Sequence, residues 1–78
     1  MVPHRIRSLF RDIFGDPALE ITAETSANDI REWDSVTQLK LALAIEEEYG
    51  LQFSTDEIAQ CTTVGDFVRA VDKRRVAG

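Results

Sequence analysis

Apolar residues recur at helical spacing in three segments of this chain, and nowhere do they alternate with the two-residue period of a strand. An all-α fold is expected. Ile6, Leu9, Phe10 and Ile13 mark a first helix over about residues 3–14, with Pro3 suited to its first position and Gly15-Asp16-Pro17 ending the run. A second helix starts at Asp34 or Ser35, continues through good helix formers to Tyr49 and stops at Gly50 in the C′ position. Ser54 and Glu57 have capping-box spacing and open a short helix that contributes Ile58 before a turn at Cys61-Thr62. Thr63 and Asp66 repeat that device. Val64, Phe67, Val68 and Val71 then form the apolar face of a last helix, whose Lys73, Arg74 and Arg75 lie where the dipole favours cations.

The result is one domain over residues 1–78, a bundle of three longer helices plus one short helix. Residues 16–34 form a long loop pinned by Ile21, Ile30 and Trp33, with a short helical turn near Ser26–Ile30. A connection of that length in a compact domain marks a functional loop. The second helix carries two apolar stripes on roughly opposite sides, Leu41, Ile45 and Tyr49 on one and Val36, Leu39 and Leu43 on the other. A protein this small does not easily bury both. The first stripe is expected to join Phe10, Ile13, Phe67, Val68 and Val71 in the core. The second begins beside Ser35 and is a candidate docking surface.

Composition removes several function classes. Of the net charge of −5, most sits in the middle of the chain, where residues 34–60 hold Asp34, Glu46, Glu47, Glu48, Asp56 and Glu57 against Lys40 alone. An acidic middle repels nucleic acid and favours partners with basic patches. Cys61 is the single cysteine, which leaves no internal disulfide and no cysteine cluster for zinc; a small buried hydrophobe in a reducing cytoplasm fits it. No apolar run approaches the roughly 18 residues of a membrane span, so a soluble chain that keeps its N-terminus, without membrane insertion, is expected.

Enzyme signatures are equally sparse. His4 is the single histidine, and the four glycines are scattered without a phosphate loop. The Glu46-Glu47-Glu48 run reads as a solvated helix end rather than a metal site, because consecutive residues point in different directions around a helix. No catalytic residue and no metal site is expected.

What remains is Glu32-Trp33-Asp34-Ser35-Val36 at the start of the second helix. Ser35 can be its cap, with Gln38 completing a capping box, or Asp34 can be the cap and Ser35 the first helical residue. A serine at a helix N-terminus is also a good place for a phosphodiester, since free N–H groups and the positive dipole end favour negative charge.

Here the chain resembles the acyl carrier protein family. The resemblance rests on Trp33-Asp34-Ser35-Val36, Ile45-Glu46-Glu47-Glu48-Tyr49-Gly50, Phe53, Asp56-Glu57 and Thr62-Thr63-Val64-Gly65-Asp66-Phe67, in the family's order and spacing over residues 20–71. It implies an acyl-carrier-like helical bundle that is not an enzyme. Ser35 would receive 4′-phosphopantetheine from coenzyme A through a phosphopantetheinyl transferase, with Asp34 as part of the motif that the transferase recognises. The arm's thiol would carry acyl groups as thioesters to acyl-activating or acyl-transferring enzymes, in lipid, fatty acid or polyketide synthesis, from a monomer in the cytoplasm. Val36, Leu39, Lys40, Leu43 and Glu47 would meet those partners.

Aminoacyl-carrying domains of peptide synthetases usually show a glycine-rich approach to the serine, which Arg31-Glu32-Trp33-Asp34 lacks. Where fatty-acid-pathway members usually have acidic residues two and five positions after the serine, this chain has Thr37 and Lys40. A specialised carrier with dedicated partners is the inference. The alternative is a carrier-like helical interaction module that never receives the arm.

Overall fold

A computed structural model describes the backbone of residues 2–77 and the side chains of residues 2–74. Four helices follow one another: α1 (His4–Phe14), α2 (Ser35–Tyr49), α3 (Thr55–Gln60) and α4 (Val64–Ala77). Pro3 is the N-cap of α1 rather than its first residue, with extended backbone at φ −60° and ψ 148°. Gly15 and Gly50 end α1 and α2 in the left-handed conformation, at φ 66° and 64°, which only a residue without Cβ adopts without cost.

The two stripes of α2 separate as their spacing requires. Leu41, Ala42 and Ile45 are buried, while Val36, Leu39 and Leu43 are 64%, 51% and 54% exposed. The buried face meets Ile6 and Phe10 of α1 and Val64, Phe67 and Val71 of α4 in one core. Ile13, Tyr49 and Val68 lie at its edge, half-buried rather than central. Trp33 and Phe53, which come from connecting segments, are as much a part of the core as the helical residues. The Trp33 ring stacks on Phe67 at 6.5 Å and meets Phe10 edge-on at 5.5 Å, and Phe53 lies 6.5 Å from Phe67.

The long connection between α1 and α2 is held by turns, with no helix near Ser26–Ile30. Its side chains and its backbone are both committed. Ile21, Ile30 and Trp33 enter the core, and Arg11 of α1 donates Nε–H to the Leu19 carbonyl at 2.9 Å. At α4, Val64 N–H donates to Thr25 O and Gly65 N–H to Ala23 O, both at 2.9 Å. The loop carbonyls thus satisfy donors that a helix N-terminus leaves without partners. Gly65 permits this approach, since a Cβ there would stand 2.9 Å from the Ala23 carbonyl oxygen.

Asp66 closes the same junction. Its Oδ2 accepts from Thr62 N–H at 2.9 Å, Thr62 Oγ1 at 3.0 Å and Thr63 N–H at 3.1 Å, while Thr63 Oγ1 accepts from Asp66 N–H at 3.1 Å. Desolvation raises the Asp66 carboxyl, but the Thr62 and Thr63 donors and Arg69 outweigh it and hold the group down at about 2, against an ordinary 3.8. A carboxylate with a depressed folded-state pKa stabilises the fold above its unfolded pKa and loses that contribution as pH falls through the folded value. Melting temperature is therefore expected to start falling below about pH 5 and to lose the whole Asp66 contribution only by about pH 1, below both values. Asp66→Asn should melt lower at neutral pH with a flatter acid limb; an unchanged limb in circular dichroism melts would remove Asp66 from this role.

Ser54 and Glu57 form the expected capping box at α3. Glu57 also pairs with Arg74 of α4, while the side chain of Arg75 lies outside the described residues. The acidic end of α2 is less uniform than its sequence suggests. Glu46 is half-buried and accepts Phe53 N–H at 2.7 Å, Glu48 stands 3.6 Å from Arg5, and Glu47 is exposed. The chain re-enters the core at Phe53, and Glu46 supplies the acceptor that its amide would otherwise lack. No group of three or more metal-ligating side chains occurs among the described residues.

Candidate functional site

The start of α2 resolves which residue caps it. Asp34 has extended backbone, and its Oδ1 accepts Thr37 N–H at 2.9 Å while its carbonyl accepts Gln38 N–H at 2.8 Å. Ser35 is the first helical residue, and its exposed hydroxyl is free of capping duty. The Thr37 N–H bond, with help from the Thr37 side chain, holds the Asp34 carboxyl below its ordinary value. Asp34 is therefore ionised at neutral pH beside the serine. The Ser35 and Val36 N–H groups lie in the open first turn, which has no preceding helical carbonyls to accept them.

Asp34→Ala is accordingly expected to lower the melting temperature by roughly 4–8 °C, the effect of losing an ordinary cap in a domain of this size. Ser35→Ala should stay within about 3 °C of wild type, as an exposed non-capping change does. Parallel thermal melts check both. The reverse order would show that Ser35 carries the cap.

Ser35 stands on the rim of an open cleft of about 460 Å³, lined also by Ala27, Trp33, Asp34, Gln38, Ala59, Cys61 and Thr62. The cleft lies between the start of α2, the long loop and the segment that joins α3 to α4. Gln38 ties these together. Its Oε1 accepts Trp33 Nε1–H, and its Nε2 donates to the carbonyls of Ile58 and Cys61, each at 2.7 Å. This pattern also fixes the orientation of the amide, since the oxygen must face the indole donor and the nitrogen the two acceptors.

Gln38 is not the partner in a capping box that its distance from Ser35 allows. With Asp34 as the cap, Gln38 lies one position too far along the helix and turns inward. A signal for this was present in the spacing, because the buried stripe of Leu41, Ala42 and Ile45 extended back by one turn lands on Gln38. Cys61 is buried beside it, and desolvation, with the Asp66 charge adding, pushes its thiol up to about 11. A thiol held protonated is a poor nucleophile.

Val36, Leu39 and Leu43 continue outward from Ser35 along the exposed side of α2, with Lys40 also exposed. Glu47 is exposed farther along the helix. All three apolar side chains are more than half exposed on one face of α2. No helix among the described residues is long and apolar enough to cross a membrane.

Residues 4–71 match the family model described as a phosphopantetheine attachment site. The solution NMR structure of a holo acyl carrier protein from Geobacter metallireducens is similar in fold and sequence, with a TM-score of 0.80 and 36% identity over 94% of this chain and 87% of that one. An acyl carrier protein of Thermobifida fusca is 28% identical over 68 residues, 87% of this chain and 86% of the relative. The meromycolate extension acyl carrier protein of Mycobacterium tuberculosis is 31% identical over 68 residues, which span 87% of this chain and 59% of that protein.

Proposed function

The chain belongs to the acyl carrier protein family, whose attachment domain it carries over most of its length, and from that premise we propose that Ser35 is the residue that bears 4′-phosphopantetheine. The observation that carries this reading is an exposed hydroxyl at the first position of α2, relieved of capping by Asp34 and set on the rim of a cleft. The surroundings fit the group. The Ser35 and Val36 N–H groups and the positive end of α2 favour the negative phosphodiester, and the cleft leaves room for a chain to leave the serine without displacing the core.

When bound, the arm supplies a terminal thiol that holds acyl groups as thioesters. The protein's own residues present and orient it. Asp34 fixes the first turn and leaves the Ser35 hydroxyl exposed, where it would give up its proton and bond to the phosphorus of the arm as the P–O–P bond of coenzyme A breaks and the adenosine bisphosphate part leaves. Trp33 anchors the approach to the serine in the core, and Gln38 holds the far wall of the cleft. With a single exposed histidine in α1 and a protonated buried thiol, the site holds no acid–base pair beside Ser35. Chemistry on the acyl group falls to partner enzymes.

The test is intact mass after incubation with coenzyme A and a broad-specificity phosphopantetheinyl transferase. Wild type should gain one phosphopantetheine, and Ser35→Ala, folded by circular dichroism, should gain none. An adduct on the alanine variant would remove Ser35 from this role.

Partner choice is the finer part of the proposal. The face of α2 that an approaching enzyme meets first combines the aliphatic Val36, Leu39 and Leu43 with Lys40, and such a face suits a partner that offers an apolar depression and a carboxylate. The carrier is therefore specialised, serving dedicated acyl-handling enzymes rather than those of general fatty acid synthesis. Lys40→Glu is expected to raise kcat/KM with general fatty acid pathway enzymes and lower it with the dedicated partner. Each change should be about fivefold at most, the worth of one exposed charge pair. Unchanged values with both enzyme sets would show that Lys40 does not govern partner choice.

A further inference from the structure

Gln38 occupies the place where the cleft beside Ser35 meets the protein interior. Ala27, Ala59 and Thr62 line the cleft, and Trp33 and Cys61 line it too while reaching inward, Trp33 to pack on Phe67 and Phe10 and Cys61 as a buried residue of the core. Resting on the assignment of Ser35 as the attachment residue, we propose that Gln38 is a specificity-determining latch, which seals the cleft from the core so that an acyl group tethered at Ser35 stays in the surface cleft, a seat for short acyl groups.

The amide of Gln38 has one acceptor oxygen and two donor hydrogens, and three different segments use all of them. Two of its partners, the carbonyls of Ile58 and Cys61, lie 20 and 23 residues away in sequence. Passage of a hydrocarbon chain between α2 and the α3–α4 segment would part these bonds. It would leave two carbonyls and the amide nitrogen of Gln38 facing methylenes that offer no hydrogen bond in return. Polar groups joined in a network resist such parting together rather than one at a time.

Behind the latch the space is occupied. Phe10, Phe67, Leu41 and Ile45 are all 0% exposed, the rings of Phe10, Trp33 and Phe67 are in mutual contact, and Phe53 packs on Phe67. A close-packed interior of this kind accepts a guest only by moving side chains. The cleft in front has the opposite character. At about 460 Å³ it falls in the range of roughly 300–1,000 Å³ typical of small-molecule sites. Its walls alternate the Trp33 ring, Ala27, Ala59 and Cys61 with Asp34, Gln38 and Thr62. An acyl group of a few carbons is covered there when the arm from Ser35 folds back along the cleft, whereas a long chain must leave its distal methylenes in water or be received by the partner enzyme.

The experiment loads wild type and Gln38→Leu with butyryl- and dodecanoyl-phosphopantetheine from the corresponding coenzyme A thioesters. Intact mass verifies loading, and NMR then records backbone amides, the Trp33 indole and core methyl groups. With wild type, both acyl groups should shift Ala27, Ala59, Thr62 and the Trp33 indole and leave the methyls of Ile6, Leu41, Ile45 and Val71 in place. With Gln38→Leu, dodecanoyl alone should move those core methyls.

Core methyl shifts in dodecanoyl-loaded wild type would overturn the latch even if the variant fails to fold. A folded Gln38→Leu protein whose core stays blind to dodecanoyl would overturn it as well. Failure of wild type to gain any adduct would overturn the attachment reading and this inference with it, whereas an adduct with the wrong shifts would overturn this inference alone.

Discussion

Phe67→Ala is expected to cost about 3–5 kcal/mol and to leave the chain largely unfolded at physiological temperature. Phe67 is 0% exposed and touches the rings of Phe10, Trp33 and Phe53, so it joins α4 to α1 and to the connecting segments that carry Trp33 and Phe53. Truncation loses the transfer energy of the ring and leaves a cavity whose walls are anchored by four different segments and cannot easily collapse. A single core in a domain of this size rarely supplies more than about 3–5 kcal/mol. The loss is therefore comparable with the whole stability. Val68→Ala, a neighbour in sequence on the half-buried edge, should cost much less. Urea titrations followed by circular dichroism measure both, and a Phe67→Ala melting temperature within a few degrees of wild type would contradict the packing described.

Gly65→Ala should destabilise by about 1–3 kcal/mol, opposite in sign to the gain of roughly 1 kcal/mol that alanine brings over glycine within a helix. Two effects compete at this position, and geometry decides between them. The new Cβ would lie 2.9 Å from the Ala23 carbonyl oxygen and 3.2 Å from the Ala23 Cβ. The first of these is a backbone atom that already accepts Gly65 N–H at 2.9 Å, so relief requires the loop to move away from α4. Movement there loosens the Val64–Thr25 bond as well. Amide hydrogen exchange at Val64 and at residue 65 should accelerate along with the loss of stability. A stabilised variant would mean that helix propensity outweighs the contact.

These two positions also show where sequence patterns inform and where they stop. Phe67 was legible because its helix repeats apolar residues at the right period, and the same is true of Leu41, Ile45 and Val71. The separation of α2 into a buried and an exposed stripe followed from angle alone, as did both capping devices around α3 and α4. Ala42 escaped because alanine is neutral in such patterns. Trp33 and Phe53 lie outside any periodic run, so spacing could mark them as apolar but could not show that they bridge the helices. The role of Gly65 depends on a carbonyl forty-two residues earlier, and no local pattern encodes that contact.

At the site, the resemblance to carrier proteins singled out Asp34 and Ser35, and the helix start left open which of them was the cap. The hydrogen bond from Thr37 N–H to Asp34 answers that question. In sequence Gln38 fits two roles, a capping partner of Ser35 and a backward extension of the buried stripe of α2, and the cap at Asp34 leaves the second. Its three bonds reach Trp33, Ile58 and Cys61, a set that only the closed bundle brings together. The length of the loop between α1 and α2 suggests a functional segment. Most of its length is accounted for by structural contacts with α1 and α4, and its contribution to the site is narrower, the Ala27 and Trp33 walls of the cleft.

The central claim, that this chain carries its arm on Ser35 at the open end of α2, is tested most directly by locating the adduct within the wild-type protein. Purified chain is incubated with coenzyme A and a broad-specificity transferase, digested, and fragmented by tandem mass spectrometry. The account predicts one phosphopantetheine per chain, with all of the added mass on the peptide containing Asp34-Ser35-Val36 and fragment ions that assign it to Ser35. An adduct mapped to any other residue, or a chain that remains unmodified while the same transferase fully loads a known carrier alongside it, would contradict the claim and favour an interaction module that never receives the arm.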